Sequence, residues 1–178
     1  MTTWLLVATE NRKTGVSPAF DVRSALYRMS GLDITVLEGI DASTALVVLC
    51  EIGTDLGKGP TVQRLVSWLD LCPQHRGSAG KIRSRRVRRG ANRAARALRL
   101  AAQGCHHATK ALGACYRRIQ ARAGGAKAVV ATARKLAERI DRLLKDGAEY
   151  VRQGMEASET AYQDRVLQGL ARKAKEMG

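Results

Sequence analysis

Aromatic side chains are scarce in this chain: Phe, Trp and Tyr make up 4% of its 178 residues, and there is a single Phe. A core with so few large rings has to be filled by Ala, Leu, Val and Ile. Such side chains suit closely packed helices better than a sandwich or a barrel. The apolar share of 45% is enough for a core, and the length fits one domain, or one domain with an appended helix. Long apolar runs are missing as well. No stretch reaches the roughly 20 residues a membrane span requires, so no membrane partner is expected. The start, MTTWLLVATENRK, has a short apolar run with no basic region before it, unlike a secretory signal. The four cysteines, Cys50, Cys72, Cys105 and Cys115, lack framework spacing. They fit buried thiols in a reducing cytoplasm.

The absence that matters most is of one sign of charge. Between Asp70 and Glu138 there is no acidic residue, while Arg and Lys recur throughout. The whole chain carries 31 Lys and Arg against 16 Asp and Glu, a formal net charge of +15. A run without counter-charges repels itself, so it asks for a polyanion, nucleic acid before an anionic membrane. The same absence works against a metal nuclease, which needs several carboxylates converging on one or two ions. Zinc ligands are present in kind at Cys72, His75, Cys105, His106, His107 and Cys115, but the tightly spaced knuckles of a zinc module are missing.

What is present reads as helices. Residues 1–20 read as a poorly structured N-terminal remnant or linker. An amphipathic helix is expected over Asp21–Met29, with Val22, Ala25, Leu26 and Met29 on one face, ended by Gly31. LDITVLEGIDASTALVVLCEIGTD reads as two apolar helices joined at Gly39-Ile40-Asp41, a helix-hairpin-helix, with Asp41 or Ser43 capping the second helix and Gly53 ending it. Hairpin amides of this kind can hold a phosphate. Here Asp41 stands where a second Gly is usual, which favours a structural hairpin. TVQRLVSWLDL offers a buried stripe of Val62, Leu65, Val66 and Leu69, and Pro73 stops it. A basic Gly/Ser/Arg-rich loop follows, and then ANRAARALRLAAQ. That helix has a packing stripe of Ala91, Ala94, Ala95, Leu98, Ala101 and Ala102, with Arg93, Arg96 and Arg99 on another side. Two further helices follow. The second, AKAVVATARKLAERIDRLLKDG, faces the core with Val129, Ala133, Leu136, Ile140 and Leu143, while Lys127, Arg134, Arg139 and Arg142 point away. A C-terminal helix near Ser158–Met177 carries Tyr162, Val166, Leu170 and Ala174 on one stripe. The expected architecture is all-α: a compact helical domain over residues 21–154 and a C-terminal helix over 155–178.

The stretch Arg76–Arg99 concentrates the chemistry. Lys81, Arg83, Arg85, Arg86, Arg88, Arg89, Asn92, Arg93, Arg96 and Arg99 are its candidate nucleic-acid contacts. Ser78 lies between Gly77 and Gly80, small residues that let a strand backbone approach closely. It has no GxSxG elbow and no Ser-His-Asp partners. A serine attacking a phosphodiester needs cations at the phosphorus oxygens, and Lys81, Arg83, Arg85 and Arg86 are near in sequence. The residues alone leave Ser78 either a nucleophile or an ordinary loop serine.

The order of FDVRSALYRMSGLD, LEGIDASTALVVLCEIG, LVSWLDLCP, RGSAGK, RRGANRAARALRLAA and LGACYRRIQARAGGAKAVVATARKLAERIDRLLKDGAEYV resembles the C-terminal half of DEDD-type bacterial insertion-sequence transposases, the bridge-RNA-guided recombinases. The resemblance covers most of the chain. It implies DNA transposition by a two-part recombinase, with an acidic RuvC-like domain holding Mg²⁺ and a C-terminal domain whose serine becomes joined to DNA. Carried over, that serine is Ser78, with Ser84 as the fallback. The basic run would contact DNA or a guide RNA. The chain would act as a homo-oligomer or with a transposase bearing the acidic domain, in the bacterial cytoplasm at the nucleoid. Nothing here corresponds to the acidic domain, so the resemblance reads the chain as a partial copy, with no metal bound by its own residues. The alternative is a non-catalytic basic helical protein that binds DNA or RNA.

Both readings predict that affinity for DNA falls steeply with salt, with a slope of several units in a plot of log affinity against log salt. A titration across salt concentrations that gives a flat response contradicts both.

Overall fold

Twenty-two residues between Gly124 and Gly147, GAKAVVATARKLAERIDRLLKD, form the central helix α6 (Gly125–Asp146) in the computed structural model, about 33 Å long at 1.5 Å per residue. The structure describes residues 21–53, 61–73, 76–78, 81–84, 87, 90 and 92–177. Before α6 come α1 (Val22–Ser30), α2 (Ala42–Ile52), α3 (Val62–Trp68), a hairpin of β1 (Arg76–Ser78) and β2 (Lys81–Ser84), α4 (Arg93–Gly104) and α5 (Ala111–Ala123). A last helix, α7 (Ala148–Met177), follows. The fold is all-α, with that hairpin as the one sheet among the described residues.

α6 packs on α3, α4, α5 and α7. Contact on several sides explains why its buried set is wider than one stripe. Ala133, Leu136, Ile140 and Leu143 are buried as the periodicity predicts and Val129 is half-buried, while Ala128, Thr132, Ala137 and Asp141 are buried too. α4 buries Ala94, Ala95, Leu98, Ala101 and Ala102, the expected stripe apart from Ala91, which lies outside the described residues. With alanines on both helices the backbones can come close. Dispersion contacts between small side chains thereby replace the aromatic packing the sequence lacks. Val22, Leu26, Ile34, Leu37, Ile40, Val48 and Leu65 extend the same core outward from α4 and α6.

Several elements differ from expectation. The first arm of the expected helix-hairpin-helix is a single 3-10 turn, Ile34–Val36. Asp33 accepts from the Thr35 amide at 3.0 Å, a local bond that competes with helix growth, and Ile, Thr and Val are stiff helix formers. The second arm is α2, capped as expected by Asp41, which accepts from the Thr44 amide at 2.8 Å. α3 ends before Pro73. Leu71 N–H reaches Val66 O at 3.1 Å and Asp70 N–H reaches Ser67 O at 3.0 Å, a Schellman stop whose left-handed residue is Asp70, at φ 51°. Within the basic stretch expected as a loop, β1 and β2 pair antiparallel, with Ser78 opposite Lys81. Met29 is exposed and does not join Val22 and Leu26. Finally, α7 begins at Ala148 rather than near Ser158 and runs unbroken through residues 154 and 155. Residues 1–20 lie outside the described residues.

One long-range contact locks the α2 side of the fold to α5. Glu38 reaches across to the start of α5, where its two carboxylate oxygens accept from Lys110 N–H and Leu112 N–H, each at 3.0 Å. It satisfies amides left open at a helix N-terminus and sets a negative charge at the positive end of the dipole. The neighbouring Gly39 has φ 86°, and a Cβ there would come within 2.5 Å of Cys105 Sγ. Only glycine lets Glu38 approach this closely. Replacing Glu38 by Ala should lower unfolding stability by about 1–2 kcal/mol in a denaturant titration; an unchanged midpoint would show the cap to be energetically idle.

Candidate nucleic-acid interface

The basic excursion between α3 and α4 leaves and returns at one corner. Asp70 stands at the exit, held in its left-handed conformation. Gly90 stands at the return, so near that a Cβ on it would meet Asp70 Oδ2 at 1.9 Å. Arg99, one helical face along α4, donates from Nη2 to the Asp70 carbonyl at 3.0 Å. Further out, Pro73 and Val87 form an antiparallel bridge, and beyond that the hairpin pairs Arg76 with Ser84, Gly77 with Ile82 and Ser78 with Lys81. An irregularity between Arg76 and Gly77 twists the short ladder. The strands thus form a small basic finger standing on a pinned base. Ser78 lies in its last ladder pair, next to the tip.

The candidate contacts divide according to what the helix does with them. Lys81 is exposed at the start of β2. Arg83 lies within β2. Arg85, Arg86, Arg88 and Arg89 lie outside the described residues. Asn92 is the N-cap of α4, its Oδ1 accepting from the Ala95 amide at 3.1 Å. Arg93 is exposed and paired with Glu51 on α2 at 2.6 Å, a surface pair of small net stability. Arg96 is exposed, and Arg99 is half-buried in the Asp70 corner. Three-residue spacing looks like one row of cations on paper. A 3.6-residue period fans them apart, and the tertiary contacts assign each a different task.

Sequence reasoning missed three features here. Asp70, the last acid before the basic stretch, falls inside the helix expected over TVQRLVSWLDL, though its position before the acid-free run is a visible signal. Trp68 is exposed at the end of α3, off the Leu65–Val66 buried side. Arg139, expected to point away from the core, is half-buried with its Nη1 enclosed, and burial lowers its pKa from the usual range. On the zinc candidates, burial and then the nearby Glu38 carboxylate push the Cys105 thiol up to about 11, so it is no ready thiolate ligand. The His106 ring packs edge-on against His107 and Tyr116. His75 lies outside the described residues. Among the described residues, no three His, Cys, Asp or Glu side chains converge to hold a metal. No helix of the described residues is long and apolar enough to cross a membrane.

Residues 33–117 match the model of the transposase IS116/IS110/IS902 family. That stretch is similar to an insertion-sequence transposase domain. The match covers just under half of the chain and runs from the Asp33 turn through α2, α3, the basic finger, α4 and most of α5. No curated protein and no solved structure matches the chain.

Arg96 and Arg99 should therefore separate in experiment. Arg96→Ala should leave the thermal midpoint unchanged and reduce the salt slope of DNA binding by about one unit. Arg99→Ala, which frees the Asp70 carbonyl, should cost about 1 kcal/mol of stability. Equal effects of the two substitutions on both quantities would contradict this division.

Proposed function

We propose that this chain is the DNA-binding and serine-bearing part of an insertion-sequence transposase. The observation that carries the reading is an overlap: the transposase match over residues 33–117 contains the whole basic finger, Ser78 included, together with α4. The acid-free charge of the same stretch supplies the physical reason, since phosphate neutralisation needs cations without competing carboxylates. DNA is the primary partner, and a guide RNA held by the same surface is part of the proposal.

In this reading Ser78 Oγ attacks the phosphorus of a DNA phosphodiester. The Oγ–P bond forms, the bond to one sugar oxygen breaks, and that oxygen leaves with a proton. The serine proton passes to a base that is not on this finger. Lys81 and Arg83 neighbour Ser78 across and along the hairpin, where cations stabilise charge developing on the phosphorus oxygens. Among the described residues no three carboxylates converge, so no step is assigned to a metal here. An acidic domain, on another chain or another part of the protein, would bring Mg²⁺ and its carboxylates. A complete site then requires assembly with such a domain.

The test is a trapping experiment with the chain, a transposase bearing the acidic domain, Mg²⁺ and cognate DNA. A protein–DNA adduct should form and disappear in Ser78→Ala, while the variant binds DNA as tightly as the parent. The chain alone should bind DNA and cut none. Strand exchange at the normal rate with Ser78→Ala would remove the nucleophile and leave a non-catalytic binding domain.

A further inference from the structure

The chain is poor in aromatics, yet the one tryptophan among the described residues is left outside the core. Trp68 ends α3 and is 52% exposed, while its neighbours Leu65, Val66, Leu69 and Leu71 are buried. Burying an indole ring is among the largest apolar gains open to a small domain. A core assembled from Ala, Leu and Val forgoes that gain here. Among the described residues the ring has no aromatic neighbour and no cation over its face; the cation–π contact is Arg118 on Tyr162 instead. Helical spacing accounts for the exposure. Thr61, Arg64 and Trp68 recur at three- and four-residue intervals, all exposed, off the side that Leu65 and Val66 bury.

The surroundings of the ring suit a polyanion. Arg64 lies one turn before Trp68, exposed and outside every ion pair among the described residues. The stop at the end of α3 uses the carbonyls of Leu65, Val66 and Ser67 internally, so these acceptors are not left open to an approaching phosphate. Asp70, the nearest acid in the chain, has Oδ2 turned to Gly90, and the acid-free run begins after it. We propose that Trp68 is a stacking platform for an unpaired base of single-stranded DNA, with Arg64 at the phosphate alongside. A base inside a duplex has both faces covered by its neighbours, so only an unpaired base presents a face to the ring. The indole carries one N–H donor and no acceptor, so the platform takes any base in preference to reading a sequence. The proposal rests on the reading of the chain as a DNA-binding domain and adds a preference to it. The finger and α4 take the phosphates of any strand, whereas Trp68 favours DNA that is open beside them, independently of whether Ser78 reacts.

Fluorescence anisotropy of dye-labelled DNA, read with the 178-residue chain on an oligothymidylate and on a blunt duplex of equal phosphate number, tests this. Trp68→Leu keeps apolar bulk at the end of α3 and removes the π face. At the parent's thermal midpoint it should weaken single-strand binding about tenfold and duplex binding by less than about twofold. Trp68→Phe, which keeps a ring, should recover most of that affinity. In a Trp4→Phe chain, where Trp68 is the sole tryptophan, the single strand should quench the indole emission at saturation. Equal losses on both DNAs, no loss on either, or an emission unchanged at saturation overturns the platform while leaving DNA binding in place. A loss confined to single-stranded RNA of the same length overturns the assignment to DNA. A parent that binds neither DNA removes the DNA-binding reading itself, and the platform with it.

Discussion

The Asp70 corner is the constraint on which the presentation of the basic surface depends. Nearly every cation that could meet a phosphate between α3 and α4 lies on an excursion that repels itself. Such a segment keeps a shape only if its two ends are held. Three contacts hold them: the left-handed Schellman stop at Asp70, the glycine-only approach of Gly90, and the Arg99 bond to the Asp70 carbonyl. The Pro73–Val87 bridge adds a rung further out. An arginine of the basic helix is thereby spent on architecture, which leaves fewer cations for a partner than the sequence suggests.

Behind that corner the fold solves a composition problem. With hardly any aromatics, burial must come from many small contacts, and alanines on α4 and α6 let two backbones approach until those contacts add up. Close packing of this kind leaves little room for adjustment, which explains why single atoms decide local geometry. Glu38 can cap α5 only because Gly39 has no Cβ to strike Cys105. Cys105 and Arg139 are drawn into the same junction, and burial moves both away from their ordinary acidities. The family match ends on α5, whereas the core continues into α6, so the physical unit is larger than the matched stretch.

The all-α architecture and the α4 stripe were legible because 3.6-residue periodicity reports burial directly. α6 was legible on one face only, since a helix contacted on several sides buries residues that look peripheral, Thr132 and Asp141 among them. The 3-10 turn before Gly39 was hidden because Ile34, Thr35 and Val36 are apolar enough to suggest a helix, while the Asp33 bond that stops it is a matter of geometry. The paired strands were not legible because RGS and KIRS are too short, and too rich in Gly, Ser and Arg, to carry an alternating apolar pattern. For the site, position along the chain singled out the acid-free stretch 76–99. It did not show that Asn92 and Arg99 serve the fold, because helix caps and long-range carbonyl contacts are set by where the chain returns to itself.

The central claim is that the finger and α4 face the nucleic acid. Ultraviolet crosslinking of the chain to a DNA duplex, followed by mass-spectrometric location of the modified peptides, addresses it most directly. The account predicts crosslinks within residues 76–99 and at Trp68, beside the corner, with residues 163–176 of α7 unmodified. Crosslinks confined to α7 or to α1, with residues 76–99 untouched, would contradict it.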